Sequence, residues 1–148
     1  MKYFIDTNVF LSVMAHEDPE SLEQGKEFFS RIKKGGIDGV TGDVVLAEIT
    51  WVLGSYYKFP KTRVVSLLNN IKNTPNIIVC NDYDSITAID LYSRTNVKFV
   101  DCLIASIPQV AAKEWTVISY DEDFKKLPVK WQKPGETRNA VLKALSKN

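Results

Sequence analysis

Residues 4–11 read FIDTNVFL, an apolar run broken by Asp6 and Asn8. A carboxylate placed among apolar side chains is costly unless something pairs with it. Asp6 is therefore either the cap of a helix or a member of a site. The residues around it favour a strand-to-helix joint. KYFI (2–5) puts Tyr, Phe and Ile in a short run bounded by Asp6, the pattern of a buried strand, and an apolar helix follows from Asn8. What the chain does after this unit decides the fold.

Asp18 before Pro19 is an N-cap followed by proline at the first helical position, and that helix should run to about Lys34, where Gly35-Gly36 stops it. GVTG (39–42) is a short strand, and Asp43 is expected to cap VVLAEITWVLGSYY (44–57). KTRVVSLLNNIKN (61–73) makes an amphipathic helix, and NIIVC (76–80) is a β-rich run ending at Asn81-Asp82. DYDSITAIDLYSR (82–94) holds a helix with Ile86, Ile89 and Leu91 in its apolar set, FVDCLIAS (99–106) begins another, and TVISY (116–120) is a strand that ends in DED. Strands separated by helices need crossover connections, so the expected fold is α/β, a central parallel sheet flanked by helices.

Composition removes whole classes of answer. With 45% hydrophobic and 25% charged residues in 148, the chain has the apolar content for a core, which excludes disorder, and it reads as one domain over 1–148. No apolar run approaches the roughly 18 residues of a membrane span. The start imitates a signal peptide, but Asp6 and Asn8 interrupt it and Lys2 is its one preceding charge, so it is read as a mature N-terminus. Cys80 and Cys102 stand apart, which suits buried thiols in a reducing cytoplasm. His16 is the sole histidine and falls in the loop-like AHEDPE (15–20), so two-histidine ribonuclease chemistry is excluded and a Ser-His-Asp triad disfavoured. No GxxxxGK[ST] or GxGxxG is present. Catalysis must rest on carboxylates, lysines or hydroxyls.

The carboxylates are distributed suggestively. In open parallel sheets the functional crevice lies beyond the carboxyl ends of the strands, and Asp6 stands after one strand while Asp121 and Asp123 stand after another. Each could equally be a helix cap. Glu48 shares a helical face with Val44, Val45, Val52 and Tyr56, or else lies at the margin of a stripe through Leu46, Ile49, Leu53 and Tyr56, paired with a lysine. Asp101 shares a side with Ile104 and Ala105, or caps its helix. If these acids meet, two unit charges about 4 Å apart repel by roughly 4 kcal/mol at an effective dielectric of 20. Such a cluster raises pKa values or recruits a cation. All-oxygen ligands suit Mg²⁺ or Mn²⁺, and the chemistry they favour is hydrolysis of a phosphodiester.

FIDTNVFL (4–11), LAEITWVL (46–53), TNVKFVDCLIAS (95–106) and ISYDEDFKKLP (118–128) together resemble the PIN domain, in particular the VapC-type ribonuclease toxins of VapBC toxin–antitoxin pairs, over Tyr3 to about Trp131. The resemblance implies a three-layer PIN-like fold and an acidic quartet of Asp6, Glu48, Asp101 and Asp121. In it Asp6, Asp101 and Asp121 hold metal, Glu48 is a ligand or holds the attacking water, and Asp123 is an auxiliary ligand. Asn8 and Ser119 orient the acids. It further implies Mg²⁺- or Mn²⁺-dependent cleavage of RNA, homodimerisation and inhibition by a VapB antitoxin. Two features depart from the pattern. Pro108 interrupts SIPQVAAKE (106–114) where the family runs an unbroken helix, and KPGETRNAVLKALSKN extends the chain, with 134–148 a helical extension.

Formal net charge is only +1, yet with Asp6, Glu48, Asp101, Asp121 and Asp123 gathered at one site the remainder carries +6. Lys125, Lys126, Lys130 and Lys133 are the candidate RNA-binding rim. Trp51, Tyr56 and Tyr57 read as core or dimer contacts. Three alternatives stay open: a non-toxin RNA-processing nuclease of this fold, a catalytically degenerate scaffold, and a receiver-like phosphoacceptor domain. The last expects an early acidic pair, of which DTN supplies one acid.

Overall fold

The computed structural model describes residues 1–147, with the side chains of 139–142 and 144 left out of account. The expected joint opens the chain: strand β1 (Lys2–Ile5) runs directly through Asp6 into helix α1 (Thr7–Met14). Helix α2 (Pro19–Lys33) starts as anticipated, its first turn held by Ser21 N–H donating to Asp18 Oδ2 at 3.1 Å. It stops at Gly35, whose φ of +77° is open to glycine at little cost. Strand β2 (Asp38–Thr41) and helix α3 (Asp43–Trp51) follow.

Asp43 is not the cap expected of it. Gly42 occupies that position, and Asp43, the first helical residue, is clasped by Asn81: its N–H donates to Asn81 Oδ1 at 2.8 Å and its Oδ2 accepts Asn81 Nδ2 at 2.9 Å. A side chain from the β3–α5 connection thus does the work assigned to a local one. Beyond Trp51 the helix widens into a π-turn over Val52–Tyr56. The wider turn defeats i, i+4 spacing as a guide to faces.

Helix α4 (Lys61–Asn73), strand β3 (Ile77–Val79) and helix α5 (Ser85–Arg94) come next, then α6 (Phe99–Ser106) and α7 (Pro108–Ala111). Pro108 acts as its chemistry dictates, ending one helix and supplying the first residue of another. Strand β4 (Thr116–Ile118) is followed by a 3₁₀ turn (Glu122–Lys126), a two-residue strand β5 (Trp131–Gln132) that the sequence did not suggest, a second 3₁₀ turn (Pro134–Glu136) and helix α8 (Thr137–Ser146).

The sheet is parallel throughout, in the order β3-β2-β1-β4-β5. Phe4 pairs with Val40 on one side and Val117 on the other, and Tyr3, Phe4, Ile5, Val40, Val117 and Ile118 are all fully buried. Such continuous burial is what a sheet covered on both faces requires. On one side, α2 comes down on α1 at Gly25, where a Cβ would meet Ser12 Oγ at 2.7 Å and Val13 Cγ1 at 2.8 Å. The close approach seats Phe28 against Tyr3 and Phe29 against Phe10. The chain builds outward from β1 through β2 to β3, then returns to place β4 on the other side of β1. That reversal is the topological switch point, where α/β sheets open a crevice beyond the strand ends.

Candidate active site

Strands β1 and β4 flank the reversal and end side by side. Asp6 continues their ladder, its N–H donating to Ile118 O at 3.0 Å, and it is only 1% exposed. Its carboxylate answers both readings at once. Oδ1 accepts the Thr7 N–H at 2.8 Å and caps α1, while Oδ2 accepts the Ser119 hydroxyl at 2.7 Å and the Asn8 amide at 3.4 Å. The residue that caps α1 is thereby tied to the end of β4.

Asn8 and Ser119 lock this corner. Asn8 Nδ2 donates to Ser119 Oγ at 3.0 Å and Asn8 Oδ1 accepts the Tyr120 N–H at 3.0 Å. Ser119 Oγ also accepts the Asp121 N–H at 2.9 Å. With one proton donated and two bonds accepted, the hydroxyl is saturated. It fixes the Asp6 carboxylate against the backbone of Asp121. Asp121 in turn accepts the Asp123 N–H at 2.9 Å and caps the 3₁₀ turn.

Asp101 lies in the first turn of α6, fully buried together with Ile104, and Ala105 beside them is 2% exposed. It is not a cap: that position belongs to Lys98. Neither carboxylate oxygen of Asp101 has a hydrogen-bond partner. Burial, then the charge of Asp6, push its pKa up to about 8 against the pull of Lys98, with Asp121 and Glu48 adding to the rise. Asp6 is raised as well, by burial working against the bonds from Ser119 and Thr7.

Glu48 joins from α3. The buried stripe of that helix is Val45, Ile49 and Leu53, and Glu48 stands at its margin, its side chain 25% exposed. Its geometry is therefore that of the marginal glutamate paired with a lysine. That lysine, however, is Lys98, whose Nζ lies 3.8 Å from Glu48 Oε2 and 3.9 Å from Asp101 Oδ1. Burial disfavours the Lys98 charge, but Asp101, Glu48, Asp6 and Asp121 outweigh it and hold its pKa above the usual lysine value. Four carboxylates from four segments act on one ammonium.

Lys98 escaped the sequence reading, although a signal was there. A cation at a helix N-terminus opposes the helix dipole, and a residue that breaks a local rule marks a site held by something larger.

Other anticipated residues sit elsewhere. Asp123 gives its carboxylate to Lys126 at 2.9 Å. Lys125 and Lys133 both reach Glu122, at 3.3 and 3.5 Å. Three of the four rim lysines are thus paired with neighbouring acids, and Lys130 is exposed. Trp51 and Tyr56 are not core, being 67% and 69% exposed, and of the α5 apolar set Leu91 is buried whereas Ile86 and Ile89 face outward. Cys102 is buried and Cys80 half-buried. His16 lies in the exposed α1–α2 turn, its ring 2.6 Å from Val13 O.

Among the described residues no three His, Cys, Asp or Glu side chains converge as a ready-made metal cage. The donor set nonetheless suits a hard cation. It is all oxygen, and Asp101 presents two buried oxygens with no donor of their own, an arrangement that native proteins rarely leave unexplained. No helix among the described residues is long and apolar enough to cross a membrane.

Comparison with known proteins gives the family. A VapC ribonuclease from Aquifex aeolicus is 29% identical over 133 residues, covering 89% of this chain and 96% of the relative. Among solved structures, VapBC2 from Rickettsia felis, bound to a DNA fragment from its promoter, superposes with a TM-score of 0.66 at 18% identity, covering 90% of this chain and 98% of that one. VapC20 of Mycobacterium tuberculosis, a sarcin-ricin loop cleaving toxin, gives 0.62 at 15% identity, covering 86% and 98%. The structural likenesses speak for the fold. The PIN domain family model matches residues 3–130, from the strand that leads into Asp6 to the threshold of β5, and the chain belongs to the PIN domain family.

Proposed function

We propose that this chain is a Mg²⁺- or Mn²⁺-dependent endoribonuclease that serves as the toxin of a VapBC-type pair. One observation carries the chemistry: Asp101 is fully buried with both oxygens bare, and the charges of Asp6, Asp121 and Glu48 bear on it at the switch point of the sheet. Asp6, Asp101 and Asp121 would hold the ion. Bound there, a divalent cation supplies Lewis-acid stabilisation of charge on the phosphoryl oxygens. Glu48, partly open to solvent, is placed either to complete the ligand set or to take the proton of the attacking water. Asn8 and Ser119 keep Asp6 from turning away, and Asp123 steadies Asp121 through its N–H.

The relatives that are VapBC complexes support a VapB-type antitoxin as partner. An apolar stripe supports a homodimer. Ile86, Ile89 and Tyr92 follow one another at helical spacing on α5, Tyr92 packs on Phe99 with ring centroids 5.7 Å apart, and Val100 shares a shallow cleft with Trp51 and Glu48. RNA would approach over Lys125, Lys126, Lys130 and Lys133, and a cytoplasmic setting follows from that substrate. The extension belongs with the nuclease domain, because Arg31 donates to Thr137 Oγ1 at 2.8 Å and Arg138 reaches Glu27 at 3.6 Å.

The test is cleavage of a mixed RNA pool with Mg²⁺, Mn²⁺ or EDTA, beside Asp6→Asn purified identically. Metal-dependent cleavage that vanishes in the variant supports the proposal. Cleavage that persists in Asp6→Asn or in EDTA overturns it.

A further inference from the structure

Lys98 occupies the centre of the acid cluster, and it does so from a fixed point. Its carbonyl accepts the Asp101 N–H at 3.1 Å and the Cys102 N–H at 3.3 Å, which ties its backbone into the first turn of α6. Its side chain makes no capping hydrogen bond. Instead it reaches across to two carboxylates of different helices, Glu48 on α3 and Asp101 on α6, at 3.8 and 3.9 Å.

Both separations are too long for hydrogen bonds. The ammonium meets the charge of the cluster without meeting its geometry, which is why the Asp101 oxygens remain without a donor. Its side chain is 48% exposed, against 0% for Asp101, so a way outward is open to it.

We propose that Lys98 is the resident counter-ion of the metal site: its ammonium offsets the negative charge of the acid cluster when no divalent ion is bound, and metal loading is an exchange in which the ammonium moves out as the ion enters. The inference rests on the metal-dependent reading above. It makes Lys98 a positioning residue that sets how much divalent metal the protein demands.

The experiment is Mn²⁺ binding by calorimetry on the full chain without RNA, together with melting in Mn²⁺ and in EDTA. Lys98→Met is expected to bind Mn²⁺ about tenfold more tightly, equivalent to about 1.4 kcal/mol. It should also melt lower than wild type in EDTA, so that metal stabilises it by a wider margin. Lys72→Met removes the same unit of charge from an exposed lysine on α4, and is expected to shift Mn²⁺ affinity by less than about twofold.

Equal affinities in wild type and Lys98→Met overturn the counter-ion role and leave the metal site standing. Failure of both proteins to bind Mn²⁺ overturns the metal reading, and the counter-ion role with it. A Lys98→Met protein that folds in Mn²⁺ but not in EDTA supports the exchange directly. If it folds in neither, Lys98→Gln, which removes the charge and keeps a polar end, provides the same comparison.

Discussion

The crevice beyond β1 and β4 and the turn from Glu122 to Lys133 are both rich in charge, and they treat it in opposite ways. In the turn, charges pair over short distances: Lys125 and Lys133 share Glu122, and Lys126 pairs with Asp123. All these side chains are at least 40% exposed, so the pairs contribute little to stability. In the crevice, Asp6 and Asp101 are buried, Glu48 and Asp121 act on the same space, and Lys98 is the cation that answers them. A count of charges along the chain cannot tell these regions apart. What differs is burial: the turn pairs its charges in solvent, whereas the crevice gathers acids from separate segments, two of them buried, around one lysine.

The sharpest way to break this contrast is to neutralise the crevice. Asp6→Asn keeps an oxygen to accept the Thr7 N–H, so the α1 cap survives. The expected result is cleavage reduced on the order of 10³-fold, about 4 kcal/mol of barrier, with the fold retained. Asp101→Asn should match that loss while melting higher than wild type in EDTA above pH 8, where the carboxylate it replaces is ionised and buried without a donor. Circular dichroism and RNA cleavage on the same preparations check both. An Asp6→Asn protein that unfolds would reduce Asp6 to a structural cap.

The crevice should also announce itself through pH. Asp101 holds its proton to about 8 in the folded chain, chiefly because of burial, and Asp6 is shifted the same way. Unfolded aspartates ionise near 4 (about 3.9). Between those limits the folded chain binds more protons than the unfolded one, so the stability of the metal-free protein falls as pH rises through the window and levels off above it. Asp18, Asp84 and Glu122 have depressed pKa values, so their contributions are lost only in acid, below this range. Melting in EDTA should drop by roughly 5–15 °C from pH 5 to pH 8. Asp101→Asn should flatten the slope. Metal affinity should run the other way, rising towards pH 8, since a ligand must shed its proton before it can bind.

Much of this contrast was legible in the residues, and the exceptions share a cause. FIDTNVFL disclosed the strand-to-helix joint and singled out Asp6, which is buried and hydrogen-bonded, because an acid inside an apolar run conflicts with burial whatever the fold. Pro108 was equally readable, since a missing N–H acts locally. Asp43 misled because its partner, Asn81, is supplied from across the fold. The face of Glu48 could not be read because α3 changes its pitch at Val52. Trp51 read as a core or dimer contact and Ile86 and Ile89 as part of an apolar set, and all three are exposed, since helical periodicity reports which apolar residues share a face, not whether that face is covered. Lys98 was hidden by its ordinariness: one lysine among many, made distinctive by neighbours 50 and three positions away.

Next in size come the residues that hold the carboxylates in place. Ser119→Ala removes the hydroxyl that bonds Asp6 and receives the Asp121 N–H, and Asn8→Ala removes the amide that ties Asp6 and Ser119 to the Tyr120 backbone. Each should lower cleavage or metal affinity roughly 10- to 100-fold, less than loss of a carboxylate. The two residues bond to one another at 3.0 Å, so the double variant should fall short of the product of the single effects. Independent, multiplying effects would mean that the corner does not act as a unit.

The smallest effect should come from the region that the sequence marked most heavily for RNA. Replacing Lys125, Lys126, Lys130 and Lys133 together removes four cations. Three of them share two acids, Glu122 and Asp123, so RNA affinity should fall by only about two- to fivefold. A single-stranded ligand releases about 0.7 counterion per phosphate contact, so the salt dependence of binding should lose roughly two contacts, that of Lys130 and that of the lysine left over where three share two acids, rather than four. A loss of four would show that RNA pulls the lysines out of their pairs. The turn would then be a charge reserve opened by the substrate, and the difference between the two regions would lie in when their charge is released, not in how much they hold.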